Sequence, residues 1–328
     1  MEKVVDHAEG GNWTLYLGDC VSILKGLPND SIHLSVFSPP YSALYVYSAS
    51  DRDMGNSAND DQFFTHFTFV IKELHRVIKS GRLVAVDCMN LPAMKERDGY
   101  IGLKDFRGKL IRMFEAEGFI FHSEHCIWKD PLIEATRTKA LGLMHKQLCK
   151  DSAMVRAGIP QYLLGFRKSG INLDPIPHEQ GLQSFVGDDP PTTGNLPHER
   201  WRRYASPVWM DIRPTRTLNY RAARIERDER HICPMALDII ERALTLWSNP
   251  GDIVLDPFTG IGSTGYIARQ MGRKFIGIEL KRSYWEQAWR NLESANQINE
   301  GLFASQAEPR EEIAGTISED AGEAALED

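Results

Sequence analysis

Cysteine is scarce in this chain and poorly placed for cross-linking. Its five cysteines, Cys20, Cys88, Cys126, Cys149 and Cys233, are scattered over 328 residues and form no Cys-x-x-Cys pair. An odd, dispersed set argues against a disulfide framework or a structural zinc site, so reduced thiols and no metal are expected. Long apolar runs are missing too: nothing approaches the ~20 residues that a membrane-spanning helix needs. The N-terminal stretch MEKVVDHAEGGNW lacks the apolar core of a secretory signal. These absences together predict a soluble, cytoplasmic protein with no membrane partner. No Gly-Lys-Ser/Thr is present, which excludes a P-loop nucleotide site.

Net positive charge is absent as well, but only on average. The formal charge is −7, yet residues 296–328 hold nine acids against one arginine. That tail therefore carries −8 and leaves +1 for residues 1–295. Rich in Ala, Glu and Gly, it is expected to be a disordered extension. Within the body, residues 197–230 carry nine arginines against five acids, and residues 129–168 carry eight Lys or Arg against three acids. Clustering of this kind is the footprint of a phosphate-binding face, although an ordinary solvated surface has the same composition.

What the sequence does have is alternation of strand-like and helix-like segments at both ends. Residues 15–17 and 32–37 read as strands, the second running into a Pro-Pro pair. Helical spacing through Phe63, Phe67, Val70, Ile71, Leu74 and Ile78 predicts a helix over 61–79, stopped at Gly81. A strand over 82–88, a helix over 103–117 and strands over 119–128 and 162–167 follow, the last two being candidates to pair. The C-terminal end continues with a helix over 235–247, a strand over 253–255, a helix over 263–271, a strand over 274–278 and a helix over 283–292. Strands spaced by helices of this length predict an α/β fold with a doubly wound, mostly parallel sheet. Residues 170–230, rich in Pro, Gly, Asp and Arg, break the pattern and read as an irregular basic insertion. The expected organisation is one half of the sheet in 1–168, an insertion in 169–230, the other half in 231–295, and the tail in 296–328.

Two constellations carry chemistry. The first is Asp256-Pro257-Phe258-Thr259-Gly260-Ile261-Gly262-Ser263-Thr264, between a strand and a helix. Its glycines allow a tight turn and close approach of a ligand to the backbone, beside the free N–H groups of a helix start. Glu279, ending the next strand, is placed to accept hydrogen bonds from ribose hydroxyls. A nucleoside-containing cofactor fits this pattern; a plain packing turn is the alternative. The third glycine of a dinucleotide fingerprint is missing, which speaks against a nicotinamide dehydrogenase. The second constellation is Ser38-Pro39-Pro40-Tyr41, directly after the strand at 32–37. Prolines cannot continue a central strand, so the chain leaves the sheet in a rigid turn. That turn offers carbonyls, a hydroxyl and an aromatic face, which suit a planar base carrying an amino group. Alone, it is equally a simple turn closed by a tyrosine.

Taken together, residues 256–264 with Glu279 and residues 38–41 resemble the DNA amino-methyltransferases that act on N6 of adenine or N4 of cytosine. The order, Ser-Pro-Pro-Tyr first and Phe-x-Gly-x-Gly last, resembles the permuted β-class of that family. The likeness covers roughly residues 13–168 and 231–293. It implies a permuted Rossmann-like methyltransferase fold with a target-recognition insertion, S-adenosyl-L-methionine as cofactor and double-stranded DNA as partner. Asp256, Pro257, Phe258, Gly260, Gly262, Ser263, Thr264 and Glu279 would then bind the cofactor. Leu17-Gly18-Asp19-Cys20 resembles the family's N-terminal motif, whose Asp reaches the cofactor's adenine; the alternative for Asp19 is a helix N-cap. His231-Ile232-Cys233-Pro234 resembles the segment that contacts the methionine portion, which adds His231 and Pro234 to the expected site.

The resemblance also implies a catalytic centre of Ser38, Pro39, Pro40 and Tyr41. The Ser38 hydroxyl and the Pro39 carbonyl would accept the amino protons, while Tyr41 stacks on the base. The target base must leave the duplex, at a cost of a few kcal/mol; stacking offsets roughly 1–3 kcal/mol of it. Arg200, Arg202, Arg203, Arg213, Arg216 and Arg221, with the basic stretch 129–160, are candidates for DNA contacts. In the family, serine at the first motif position tends to mark N4-cytosine enzymes and Asp or Asn N6-adenine enzymes, so Ser38 leans towards cytosine, with adenine the alternative. No nuclease motif is evident, which leaves open a homodimer and a separate restriction endonuclease. The rival readings are an RNA or small-molecule methyltransferase on the same fold, and a non-catalytic DNA-binding module.

Overall fold

The computed structural model describes residues 4–41, 60–93, 98–138, 140–179, 181–182, 197–219 and 234–295. Its strands are β1 (Val4–Gly10), β2 (Trp13–Gly18), β3 (Ile32–Phe37), β4 (Ile78–Met89), β5 (Leu91–Ala93), β6 (Gly102–Lys104), β7 (Phe119–Ile127), β8 (Gln161–Lys168), β9 (Val208–Trp209), β10 (Ile253–Asp256) and β11 (Lys274–Glu279). The helices are α1 (Cys20–Leu24), α2 (Asp60–Val77), α3 (Phe106–Ala116), α4 (Pro131–Thr138), α5 (His145–Leu148), α6 (Pro197–Ala205), α7 (Leu237–Trp247), α8 (Ser263–Gln270) and α9 (Arg282–Ser294).

Nine strands form one sheet in the order β1-β2-β11-β10-β3-β4-β8-β7-β9. Strands β2, β11, β10, β3 and β4 run parallel, β8 is antiparallel between β4 and β7, and β1 closes the far edge as an antiparallel hairpin with β2. The period-two alternation of the strands divides the core between two faces. Leu34, Val36, Leu83 and Ala85 point to the side covered by α7, α8 and α9. Phe37, Val84 and Val86 point to the side covered by α1, α2 and α3. The doubly wound, mostly parallel sheet read from the sequence is the one found.

Sequence periodicity misplaced some pieces. Residues 78–79 start β4 rather than ending α2, because Ile78 pairs with Ile32. Helix α3 begins at Phe106, not at 103: Gly102–Lys104 pairs with β5, and the Asp105 side chain then caps the helix by accepting from Gly108 N–H at 2.7 Å. The stretch expected to be irregular contains α6 and β9, and β9 pairs with β7 at the sheet edge. The tail from residue 296 lies outside the described residues.

The two ends of the chain are riveted at the amino rim of the sheet. Arg82, only 1% exposed, donates through Nε to His33 O at 3.0 Å, through Nη1 to Asp174 O at 2.9 Å, and forms an ion pair with Asp252. Asp252 also accepts from Asn249 N–H at 2.8 Å, while His33 Nδ1 accepts from Ile253 N–H at 3.1 Å. Burial holds the His33 imidazole below its usual pKa. One guanidinium thus joins β3, β4 and β10.

Candidate active site

From β10 the chain crosses through α8 to β11 on one side, and from β3 through α2 to β4 on the other. Strands β10 and β3 are adjacent, with Val254 opposite Leu34 and Leu255 opposite Ser35. The crossovers therefore diverge at the β10–β3 boundary, and open α/β sheets bind ligands at the carboxyl rim of such a switch point. Both sequence constellations sit on that rim. Ser38-Pro39-Pro40-Tyr41 leaves β3, and residues 257–262 leave β10.

The loop after β10 is held by its own hydrogen bonds. The Asp256 carboxylate accepts from Phe258 N–H at 2.9 Å, and Thr259 Oγ1 donates to Asp256 O and accepts from Ile278 N–H, both at 2.9 Å. Gly260 and Gly262 have φ of +54° and +89°, a left-handed conformation that side chains disfavour. A Cβ at Gly262 would meet Ala288 of α9 at 3.2 Å, whereas at Gly260 it would meet only Phe258 O at 4.0 Å. Gly262 is therefore needed for packing, and Gly260 leaves bare backbone facing open space. The Glu279 carboxylate accepts from Gly260 N–H and Lys281 N–H, both at 2.8 Å, and retains lone pairs for further donors. Ser263, in the first turn of α8, has a buried hydroxyl with no hydrogen-bond partner among the described residues. Such a hydroxyl has hydrogen-bonding capacity to spare for a ligand or a water. Burial pushes the Asp256 and Glu279 carboxyls up to about 7.

The turn after β3 is tied to that loop. Thr264 Oγ1 donates to Val36 O at 3.2 Å and Ser35 Oγ to Leu255 O at 2.9 Å. Phe258 packs on Phe37 and Phe67 with ring centroids 5.6 and 6.1 Å apart. Tyr41 leans on Phe106 at 5.9 Å, and Ser38 Oγ donates to the Tyr41 hydroxyl at 3.3 Å. Pro39 is buried, which fixes the turn from beneath.

One acid at the rim escaped the sequence reading. Asp87 is 2% exposed near the end of β4 and follows Val86, which pairs with Phe37, the residue before Ser38. Gln161 Nε2, at the start of β8, donates to both Asp87 carboxylate oxygens at 2.6 Å. Burial outweighs that bond and the charge of Lys129, and pushes the carboxyl up to about 7. The only sequence signal was an Asp inside an apolar strand.

The model of the DNA methylase family of N6 and N4 methyltransferases matches residues 32–290. The chain belongs to this DNA methylase family. It is 26% identical to the type II methyltransferase M.BglII of Bacillus subtilis, over 85% of this chain and 68% of that one. It is 25% identical to the DNA adenine methyltransferase YhdJ of Escherichia coli K12, over 87% and 84% of the two chains. Among solved structures, the fold is shared with TTHA0409 of Thermus thermophilus in its complex with S-adenosyl-L-methionine. That match has a TM-score of 0.61 at 22% identity, covering 87% of this chain and 95% of the other. The cytosine-N4-specific PvuII DNA methyltransferase also shares it, with a TM-score of 0.57 at 19% identity over 88% and 92%.

The other expected site residues of this methylase fall into three groups. Asp19 caps α1, its carboxylate accepting from Ser22 N–H at 2.9 Å and from the Ser22 hydroxyl at 2.7 Å, beside the rim where Leu17 pairs with Glu279. Pro234 is half-buried just before α7. His231 and Arg221 lie outside the described residues. The arginines expected to meet DNA are largely engaged within the fold. Arg200 is buried, at 3% exposure, and donates to Leu182 O at 3.4 Å. Arg213 and Arg216 pair with Asp238 at 2.7 and 2.6 Å, and Arg216 also with Glu241 at 2.6 Å. Arg203 lies 3.5 Å from Asp211, and Arg202 is exposed. Counting charges could not reveal the pairing of Arg213 and Arg216, because Asp238 and Glu241 lie on α7.

Proposed function

We propose that this methylase transfers the methyl group of S-adenosyl-L-methionine to an exocyclic amino nitrogen of a base flipped out of double-stranded DNA, with N4 of cytosine favoured over N6 of adenine. The observation that carries this reading is the Ser38-Pro39-Pro40-Tyr41 turn one strand away from the Gly260–Gly262 loop, both on the rim of the switch point. Bare backbone at Gly260, the unpartnered Ser263 hydroxyl and the spare acceptor capacity of Glu279 fit a nucleoside cofactor with polar ends. When bound, that cofactor supplies an electrophilic methyl group on a sulfonium.

The chain's own part is positioning and proton handling. An exocyclic amino nitrogen is a weak nucleophile because its lone pair is delocalised into the ring. Ser38 Oγ and the Pro39 carbonyl accept its protons and draw the nitrogen out of conjugation, while Tyr41 stacks on the ring. Methylation releases one proton, which a serine hydroxyl cannot retain. Asp87, buried near the end of the neighbouring strand β4 with a carboxyl near 7, is the base we assign to take it. Hydrolysis of methylated DNA to nucleosides, followed by mass analysis, tests the reading. We expect N4-methylcytosine; N6-methyladenine alone would reverse the preferred base, and no modified base would refute the function.

Cofactor binding should depend on pH. Burial raises Asp256 and Glu279 above the ordinary carboxyl range, so their protonation favours the cofactor-free fold. That stabilisation is complete below about pH 4 and is lost as pH rises through about 7. Ribose hydroxyls donate to an ionised Glu279, so binding has the opposite preference. Titration calorimetry should show affinity for the cofactor weakening up to ~10-fold per pH unit below 7. In Glu279→Gln the affinity should be lower and its pH dependence shallower; an unchanged slope would remove Glu279 from the site.

A further inference from the structure

Extruding a base from a duplex leaves a gap in the stack, and nothing assigned so far fills it. We propose that Leu132 and Ile133, in the first turn of α4, form an apolar wedge that enters the DNA duplex and occupies the place vacated by the target base. This rests on the reading of the protein as a DNA methylase acting on a flipped base.

Position is the first argument. Strand β7 is antiparallel to β8, which is antiparallel to β4, so β7 runs the same way as β4 and ends on the same rim as Ser38. In the sheet order β3-β4-β8-β7, three strand spacings separate the end of β7 from the catalytic turn, about 14 Å. Helix α4 begins four residues after β7 ends.

Presentation is the second argument. Leu132 and Ile133 are 73% and 61% exposed, yet the turn that carries them is firmly built. The Asp130 carboxylate accepts from Leu132 N–H at 2.8 Å and Ile133 N–H at 3.3 Å, and Asp130 O accepts from Glu134 N–H at 3.0 Å. The Glu134 carboxylate in turn accepts from Ile159 N–H at 3.3 Å, which ties α4 to the approach of β8. Capped and pinned, the turn presents two adjacent branched side chains to solvent. Large apolar groups displayed in this way mark a contact surface.

Charge selects the partner. Residues 129–160 carry six Lys or Arg against three acids, and Lys129 stands between β7 and the wedge. An apolar tip within a basic segment suits DNA, whose phosphates meet the cations while the tip enters the stack. Apolar side chains are used in this manner to unstack base steps.

The test compares two substrates of one sequence. Methylation-aware sequencing of DNA from cells expressing the wild type locates the modified site; failure to find one refutes the methylase reading itself, separately from the wedge. Oligonucleotide duplexes of that site are then made, one fully paired and one with an abasic position opposite the target, where the base is already loosely held. The Leu132→Ala/Ile133→Ala protein should methylate the paired duplex about 30-fold more slowly than wild type and the abasic duplex within about 3-fold of it, because only the paired base must be extruded against its partner. Leu132→Met/Ile133→Val should restore most of the lost rate. Unchanged affinity for S-adenosyl-L-methionine shows that the double variant is folded. Wild-type rates on the paired duplex would overturn the wedge. Equal losses on both substrates would overturn it too, as would a loss traced by sedimentation to disruption of a homodimer.

Discussion

Ser38→Ala should slow methyl transfer by about 10²–10³-fold, the range seen when one preorganised hydrogen-bonding group is removed from a catalytic site. Affinity for S-adenosyl-L-methionine should stay near wild type. The Pro39 carbonyl remains to accept one amino proton, so activity falls without vanishing. Among the described residues, nothing in the loop of residues 256–262 hydrogen-bonds through the Ser38 side chain, whose bond goes to the Tyr41 hydroxyl. Single-turnover rates at saturating cofactor measure the loss, and a fully active variant would remove Ser38 from the chemistry. Asp87→Asn separates proton uptake from scaffolding. Burial holds this carboxyl near 7, so a rate that depends on its ionised form rises with pH through 7. The asparagine variant should lose that rise and lower kcat more than KM. A merely structural Asp87 would leave the shape of the pH profile intact.

Asp252→Ala should lower unfolding stability by about 3–5 kcal/mol, the cost of leaving a buried charge without its partner. The stranded group is Arg82, which is 1% exposed and cannot turn outwards to water. Its remaining bonds, to His33 O and Asp174 O, satisfy N–H groups but do not neutralise the charge. Asp252 also caps the turn before β10 through Asn249 N–H, so the substitution frees a second donor. Urea unfolding should show a lower midpoint with an unchanged slope. A midpoint near wild type would mean that water reaches Arg82. Replacing Arg82 and Asp252 together by apolar residues of similar volume should recover much of the loss, because the pair gains little over good packing.

The strands that carry the site were legible for a simple reason. Residues 253–255 are apolar throughout and 32–37 are apolar but for His33 and Ser35, as befits strands covered on both faces, and each is followed by residues that must leave a sheet. The observed β3 and β10 match those readings to within one residue. The hairpin strand β1 stayed hidden because its burial pattern is almost wholly exposed, so it carries no hydrophobic period. Strand β6 was absorbed into a helix because three residues are too few to establish a period of two. Helix α6 was obscured by arginines whose partners cannot be seen in one dimension. Asp87 was missed for the opposite reason: burial makes it chemically interesting, and a sequence shows burial only through the neighbours' hydrophobicity.

Strands β3 and β10 lie side by side, yet 215 residues separate the end of one from the start of the other. During synthesis the first half of the sheet emerges with the flank of β3 open and waits for most of the remaining chain before β10 can close it. At roughly 5–20 residues per second that wait lasts tens of seconds. An open apolar strand edge over such a time is a template for mispairing with another chain. Trapping of nascent chains by holding chaperones, and aggregation of fragments that stop before residue 253, are the expected signs of this order of assembly. So is a folding rate set by closure of the long-range pairings of β3 with β10 and β2 with β11 rather than by the local ones. Activity can then appear only in a finished molecule, because the surface we assign to the methyl donor is among the last parts of the body to be made.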